Sequence, residues 1–297
     1  MRGLKLSYIF ELGAINTKMT LISALISVKG TAVATDSLIT VKATEDPTSV
    51  EQIEWETPKL VRLAKFSGTI SFWGDFVAEV IITKFQGKIT HKFGWTLYEW
   101  LRTKSTNITE ETLEAFVQSL TAELQEEFFK LGRQNRGIGL HVTGYEYLDN
   151  TYIPELFLIS NYADTSYTTL RELSYSRETF HTITNTPPAE NHRDLECRRV
   201  VYSHLVNGGL IIYNNGDPSL FNPVLQATWN SFLDSRNRGR IKDTFELNEL
   251  ASLVRRPIEF VSKFQTDFFK KDKILIGGRI HDLAVWRDKN YISTSGD

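Results

Sequence analysis

The sequence predicts a layered α+β fold built on largely antiparallel sheets, and three observations lead to this class. Short β-branched runs fill the first quarter of the chain, segments with helical apolar spacing follow, and blocks of strands and helices then continue in turn to the end. The 297 residues, of which 41% are hydrophobic and 24% charged, are enough for one large domain with a sizeable core.

Residues 20–36 predict a β-hairpin. The apolar runs Thr20–Val28 and Thr31–Asp36 are short, and the turn Lys29-Gly30 separates them. Thr20 begins one strand and Asp36 ends its partner, so the two residues lie side by side at the same end of the hairpin. A hydroxyl next to a carboxylate makes this end a candidate site as well as a structural unit.

The remaining elements are predicted from apolar spacing and turn residues. The predicted strands are Lys59–Leu63, Thr69–Trp73, Ile138–Gly144, Glu155–Ser160, Gly209–Tyr213 and Arg279–Trp286; the predicted helices are Trp95–Arg102, Glu110–Leu131, Arg193–Val206, Phe221–Leu233 and Leu247–Phe269. Thr109 is the expected N-cap of the second helix. The acidic, proline-containing Ala43–Pro58 predicts a surface connection, and the polar residues from 161 to about 192, Asn161–Pro188 above all, predict an irregular, partly extended insertion.

Composition argues against several classes of function. The formal net charge is -2, whereas a general nucleic-acid binder is usually basic, and no apolar run approaches the roughly 18 residues of a membrane span. The six histidines lack metal-ligand spacing, and Cys197 is the single cysteine. We therefore expect no nucleic-acid or membrane partner, no metal and no cofactor, and we expect a reducing, cytoplasmic setting.

Five features of residues 20–75 occur together in a fixed order. They are Thr20 at a strand start, Gly30 at the turn, Thr35-Asp36-Ser37 with Asp36 sixteen residues beyond Thr20, Lys59–Leu63, and Trp73-Gly74 at the end of the next strand. This order resembles the β-subunits of proteasomes, in the N-terminal-nucleophile hydrolase superfamily. Weaker likenesses follow at Leu140–Tyr145 with Leu156–Ile159 and at Gly277–Ile280. The resemblance implies a four-layer αββα sandwich over residues 20–297.

The resemblance also implies a role for each matching residue. Thr20 would be the nucleophile and, through its own α-amine, the base, because a threonine hydroxyl needs one and free α-amines titrate near about 7.7–8.0. Lys59 would activate the hydroxyl electrostatically, Asp36 would hold Lys59, and the backbone N–H of Gly74 would face the oxyanion. Thr40, together with Gly74, would bind substrate.

Several positions depart from the family pattern. Met19 stands where family leaders commonly end in Gly, Leu38 where the family has Arg, and Lys273 and Ile276 where it has Asp and Ser. Residues 1–19 are therefore interpreted either as a leader removed before Thr20 or as the result of a start codon assigned too early, with translation beginning at Met19.

The first hypothesis is a threonine-dependent amide hydrolase, a proteasome-like peptidase that acts on a peptide or other amide and forms a homo-oligomer, with an ATPase as a possible partner. Two alternatives stay open: a catalytically silent protein of the same fold that acts by assembly or binding, and an amidase acting on a small molecule. The adjacent pairs Phe128-Phe129 and Phe268-Phe269 predict rings at the edge of the core that serve as contact surfaces.

Overall fold

The structure is a computed structural model. It describes residues 6–10, 20–27, 29–42, 50–54, 58–74, 80–85, 88–148, 150–163, 169–177, 211–215, 222–241, 245–268, 278–287 and 291–293. The predicted helix Arg193–Val206 and the residues Met19, Cys197, Lys273 and Ile276 lie outside these ranges.

The described residues form fifteen strands and four helices. The strands are β1 (Leu6–Phe10), β2 (Ile22–Ile26), β3 (Gly30–Asp36), β4 (Leu38–Lys42), β5 (Val50–Glu54), β6 (Leu60–Leu63), β7 (Gly68–Gly74), β8 (Val80–Phe85), β9 (Lys88–Phe93), β10 (Ile138–Leu148), β11 (Thr151–Tyr162), β12 (Leu170–Arg177), β13 (Ile211–Asn215), β14 (Ile280–Trp286) and β15 (Tyr291–Ser293). The helices are α1 (Leu97–Thr106), α2 (Leu113–Lys130), α3 (Asn222–Asn237) and α4 (Leu247–Phe268).

Two five-stranded antiparallel sheets form the centre of the molecule. The first sheet has the order β13-β2-β3-β14-β15 and contains the predicted hairpin, in which Ile22 pairs with Thr35 and Ile26 with Thr31. The second sheet has the order β12-β11-β10-β7-β6. The hairpin prediction is thus confirmed.

Alternation along each strand gives each sheet one face toward helices and one toward the other sheet. Ala32 and Ala34 of β3 pack in the core formed with α4, whereas Val33, between them, packs against Trp73 of the second sheet. On the other side, α1 and α2 cover the second sheet through a core that includes Leu101 and Phe116. The layers are helix, sheet, sheet and helix, so the predicted α+β class and its four-layer sandwich are confirmed.

Several elements differ from the sequence predictions. β5 lies inside the acidic segment predicted to be a connection and pairs with β4. β12 lies inside the insertion predicted to be irregular and partly extended, and it pairs with β11 as a regular strand. β1 lies inside the predicted leader and pairs with β8. β5 and β12 each pair with the strand that precedes them, and β1 pairs with a strand far along the chain. In β5 and β12, pairing with a partner strand stabilises a segment whose own composition is not typical of a strand.

The helix prediction over Glu110–Leu131 is correct, but its N-cap is different. Thr112, three residues after the predicted Thr109, has an extended backbone, and its Oγ1 accepts a hydrogen bond from the Ala115 N–H at 3.1 Å.

Among the described helices, none has the length and apolar character needed to cross a membrane.

Candidate active site

Thr20 and Asp36 are brought together by the pairing of β2 with β3. Thr20 lies two residues before Ile22, the first residue of β2, and Asp36 is the last residue of β3. The Leu21 N–H donates to Asp36 Oδ1 at 2.9 Å, and the Asp36 N–H donates to the Leu21 carbonyl at 3.3 Å. The carboxylate is therefore fixed beside Thr20 by the same backbone that forms the hairpin.

Lys59 reaches this end of the hairpin from the second sheet. It is a bend residue just before β6, and its Nζ donates to Thr20 Oγ1 at 2.9 Å, to the Leu38 carbonyl at 2.9 Å and to Asp36 Oδ1 at 3.4 Å. An ammonium group has three protons, so these three acceptors match its donors. Lys59 thus joins the two sheets at the point where Thr20 lies.

The three side chains are buried. Thr20 is 4% exposed, Lys59 1% and Asp36 0%. Burial lowers the pKa of Lys59 and is the larger effect, while the charge of Asp36 and its hydrogen bond to Lys59 act in the opposite direction. The net result is a lysine with a pKa below its ordinary value, which gives up its proton more readily than a lysine on the surface.

Gly74 ends β7, next to the strand that Lys59 precedes. Its φ is +97°, and a Cβ at this position would lie 2.3 Å from the Gly137 carbonyl oxygen, so only glycine fits without strain. In the register of β7 with β10, Gly74 is opposite Ile138. The role of the Gly74 backbone N–H as an oxyanion donor stays a prediction.

Thr40 lies in β4, two residues after the Leu38 carbonyl that Lys59 contacts, and pairs with Gln52 of β5. Of the predicted site residues, the structure brings Thr20, Asp36 and Lys59 into direct contact. Gly74 is the last residue of β7, which ends close to this group, and Thr40 lies on β4, which begins close to it. The contacts of Gly74 and Thr40 with substrate stay predictions.

Sequence reasoning missed His281 and the Leu38 carbonyl. His281, in β14 opposite Thr35, is completely buried, and its pKa is lowered to about 4 by burial and, after that, by the positive charges of Arg279, Lys59 and Arg255. A histidine just after Gly277-Gly278, in the strand next to the one ending at Asp36, was the available signal. The Leu38 carbonyl could not be found this way, because any residue type supplies one.

No protein-family model matches the chain, and a search of curated proteins finds no match. Among solved structures, the chain is similar to a Gly-1 mutant of Anbu from Hyphomicrobium sp. strain MC1, with 11% sequence identity, a TM-score of 0.44, and coverage of 92% of this chain and 84% of that chain. At this identity and TM-score the likeness supports no conclusion about activity, and the fold rests on the sheets and helices described above.

Proposed function

We propose that the protein is a threonine-type amide hydrolase that acts on peptides or other amides. The observation that carries the proposal is the hydrogen bond of 2.9 Å from Lys59 Nζ to Thr20 Oγ1, with Asp36 as the second partner of the same ammonium group. A buried lysine with a lowered pKa next to a hydroxyl is an arrangement that activates a weak nucleophile.

In the proposed reaction, Thr20 Oγ1 attacks the amide carbonyl carbon and its proton passes to a base. That base is the Thr20 α-amine once the Met19–Thr20 bond is cut, with Lys59 stabilising the alkoxide that develops. The tetrahedral oxyanion accepts a hydrogen bond from the Gly74 N–H, a contribution of about 3–4 kcal/mol in comparable sites. Collapse expels the amine, which takes up the proton, and water then hydrolyses the ester on Thr20. Thr40 would hold the substrate backbone.

Exposed aromatic rings support the proposal that the hydrolase is a homo-oligomer. Phe129 is 70% exposed at the end of α2, and Phe260, Phe264 and Phe268 are 59%, 43% and 74% exposed along α4. Rings of this size are usually covered in a soluble protein. The proposed ATPase partner is based on the sequence resemblance, and the proposed cytoplasmic location is based on the single cysteine, Cys197.

A second candidate function is binding or assembly without catalysis, and β1 is the observation that favours it. Leu6–Phe10 pairs with Val80–Phe85 in a sheet of three strands, so part of the segment before Thr20 has a place in the fold. If that segment is retained, the Thr20 nitrogen stays in a peptide bond with Met19 and cannot serve as an amine base.

The N-terminus of the mature protein distinguishes these two candidates. The chain is expressed in full, purified without proteolysis, and its N-terminal peptide is identified by mass spectrometry. The hydrolase predicts Thr20 as the first residue in the wild type. A wild-type preparation in which the Met19–Thr20 bond is fully intact supports the silent binding protein instead.

A further inference from the structure

The space between the two sheets contains a group of buried polar side chains, which we call the polar band. Its members are Thr35 of β3, Ser71 and Trp73 of β7, His141 of β10 and His281 of β14, and all of them are buried. Buried polar groups need hydrogen-bond partners.

On each sheet the members of the band are neighbours. Ser71 is opposite His141 in the pairing of β7 with β10, and the rings of Trp73 and His141 have their centroids 4.7 Å apart. On the other sheet, Thr35 is opposite His281 in the pairing of β3 with β14. Each sheet therefore contributes a compact polar pair to its inner face.

Apolar contacts across the sandwich show that the two halves of the band lie close together. Trp73 packs with Ile22 and Val33 of the first sheet, and Ile22 is the residue opposite Thr35. Leu60, which is opposite Ser71, packs with Leu283, which is two residues from His281.

These two apolar contacts join the sheets beside Ser71 and Thr35. Ser71 lies next to them on the second sheet, and Thr35 lies next to them on the first sheet. Lys59 adjoins this region through Leu60 and is near enough to His281 to affect its pKa.

Within the band, Thr35 Oγ1, Ser71 Oγ and Trp73 Nε1 have no hydrogen-bond partner among the described residues. Buried hydroxyls are almost always bonded, either to protein or to ordered water. Burial lowers the pKa of His141 to about 3 and contributes most to the lowered pKa of His281, so both imidazoles are neutral near pH 7. A neutral imidazole has one donor and one acceptor nitrogen and so suits a water molecule.

We propose that the polar band binds ordered water between the sheets, with Thr35 Oγ1 and Ser71 Oγ as its two principal protein partners. The inference does not depend on whether Thr20 is a nucleophile, because it rests on groups that are not part of the proposed reaction. Water here would satisfy hydroxyls from both sheets at once and would link the inner faces beside Lys59.

The test compares the full-length wild type with the double variant Thr35→Val/Ser71→Ala, which removes both hydroxyls at nearly constant side-chain volume. Magnetic relaxation dispersion of water oxygen counts long-lived buried waters, and a high-resolution crystal structure locates them. The matched control is Thr121→Val, since Thr121 is also buried but its Oγ1 already donates to the Val117 carbonyl at 2.7 Å.

We expect water within hydrogen-bond distance of Thr35 Oγ1 or Ser71 Oγ in the wild type, and the loss of at least one long-lived water in the double variant but not in Thr121→Val. A wild-type crystal structure with well-ordered water elsewhere and none at either hydroxyl would overturn the proposal. That structure decides the matter even if the double variant does not fold.

Discussion

Lys59 is the residue on which the stability of the site depends most. Its ammonium group donates to Thr20 and Asp36 at one end of the hairpin and to the Leu38 carbonyl at the start of β4, although Lys59 itself directly precedes β6 of the second sheet. Asp36, buried beside it, has lost its hydration and depends on Lys59 and on the Leu21 N–H for compensation. Removing one member of such a pair therefore costs more than the pair itself contributes.

The first prediction follows from this dependence. Lys59→Ala leaves the Asp36 carboxylate buried without its cation and should lower the free energy of unfolding by about 3–5 kcal/mol, measured by urea denaturation. The control is Lys130→Ala, because Lys130 is exposed and pairs only with residues one turn away on α2. Equal stability of the two variants would show that Lys59 and Asp36 are not a buried pair in solution.

The second prediction concerns the pH dependence of stability and His141. Because burial lowers its folded-state pKa to about 3, below the unfolded value near 6.5, the unfolded state takes up a proton first as the pH falls. Its contribution is complete above about pH 6.5 and is lost toward pH 3, with about 2 kcal/mol lost between pH 7 and pH 5.

His141→Gln has no group that titrates in this range, so its unfolding free energy should depend less steeply on pH than that of the wild type. Denaturation curves at several pH values between 7 and 5 measure the difference. Identical slopes for the two proteins would mean that His141 titrates normally in the folded state and that the space between the sheets is open to solvent.

The strands and helices differ in how far the sequence could predict them. The hairpin β2–β3 and the helix α2 have strong local signals, namely the Lys29-Gly30 turn and an apolar stripe with helical spacing. β5 and β12 have weak local signals, because their own residues are mostly polar or charged. Strand formation there is decided by tertiary pairing rather than by composition.

The same distinction applies to the candidate site. Lys59 was implied by the family resemblance and not by strand pairing. Thr20 and Asp36 could be predicted to lie side by side, because the hairpin brings these two strand ends together. The contact from Lys59 to the Leu38 carbonyl and the position of His281 behind the site could not, since both depend on how one sheet lies over the other.

The third prediction concerns the end of β7. Gly74→Ala places a methyl group 2.3 Å from the Gly137 carbonyl oxygen at a positive φ, so it should cost clearly more than about 1 kcal/mol of stability. Gly132→Ala is the matched control: Gly132 also has a positive φ of +64°, but nothing lies within 4 Å of an added Cβ. Thermal unfolding compares them, and an equal loss in the two variants would rule out the close approach at Gly74.

For the molecule as a whole, the exposed face of α4 leads to the fourth prediction. The rings of Phe260 and Phe264 are stacked with centroids 6.4 Å apart, and those of Phe264 and Phe268 are 5.0 Å apart, so they form one continuous row. A protein that buries this row by self-association should be larger than its 34.0 kDa monomer in light scattering.

Replacing the three rings by glutamine should then shift the wild-type oligomer to the monomer mass. Phe129→Gln, on α2, is the comparison that tells whether α4 alone mediates the contact. A wild type that is already monomeric at high concentration contradicts this prediction and leaves the fold and the candidate site unaffected.

Phe129, the second ring of the pair Phe128-Phe129, lies outside the core, as the sequence predicted. Phe269, the second ring of the pair Phe268-Phe269, lies outside the described residues.

Covalent capture tests whether Thr20 Oγ1 is the nucleophile. Wild type, Thr20→Ser and Thr20→Ala are each incubated with a panel of fluorogenic peptide amides and with a peptide boronate, and the modified residue is located by mass spectrometry. Thr20→Ser keeps a hydroxyl beside Lys59, and Thr20→Ala removes it with little change in volume. We expect hydrolysis and a boronate adduct at Thr20 in the wild type, reduced but measurable activity in Thr20→Ser, and neither in Thr20→Ala. Amide hydrolysis by Thr20→Ala at the wild-type rate would contradict this expectation.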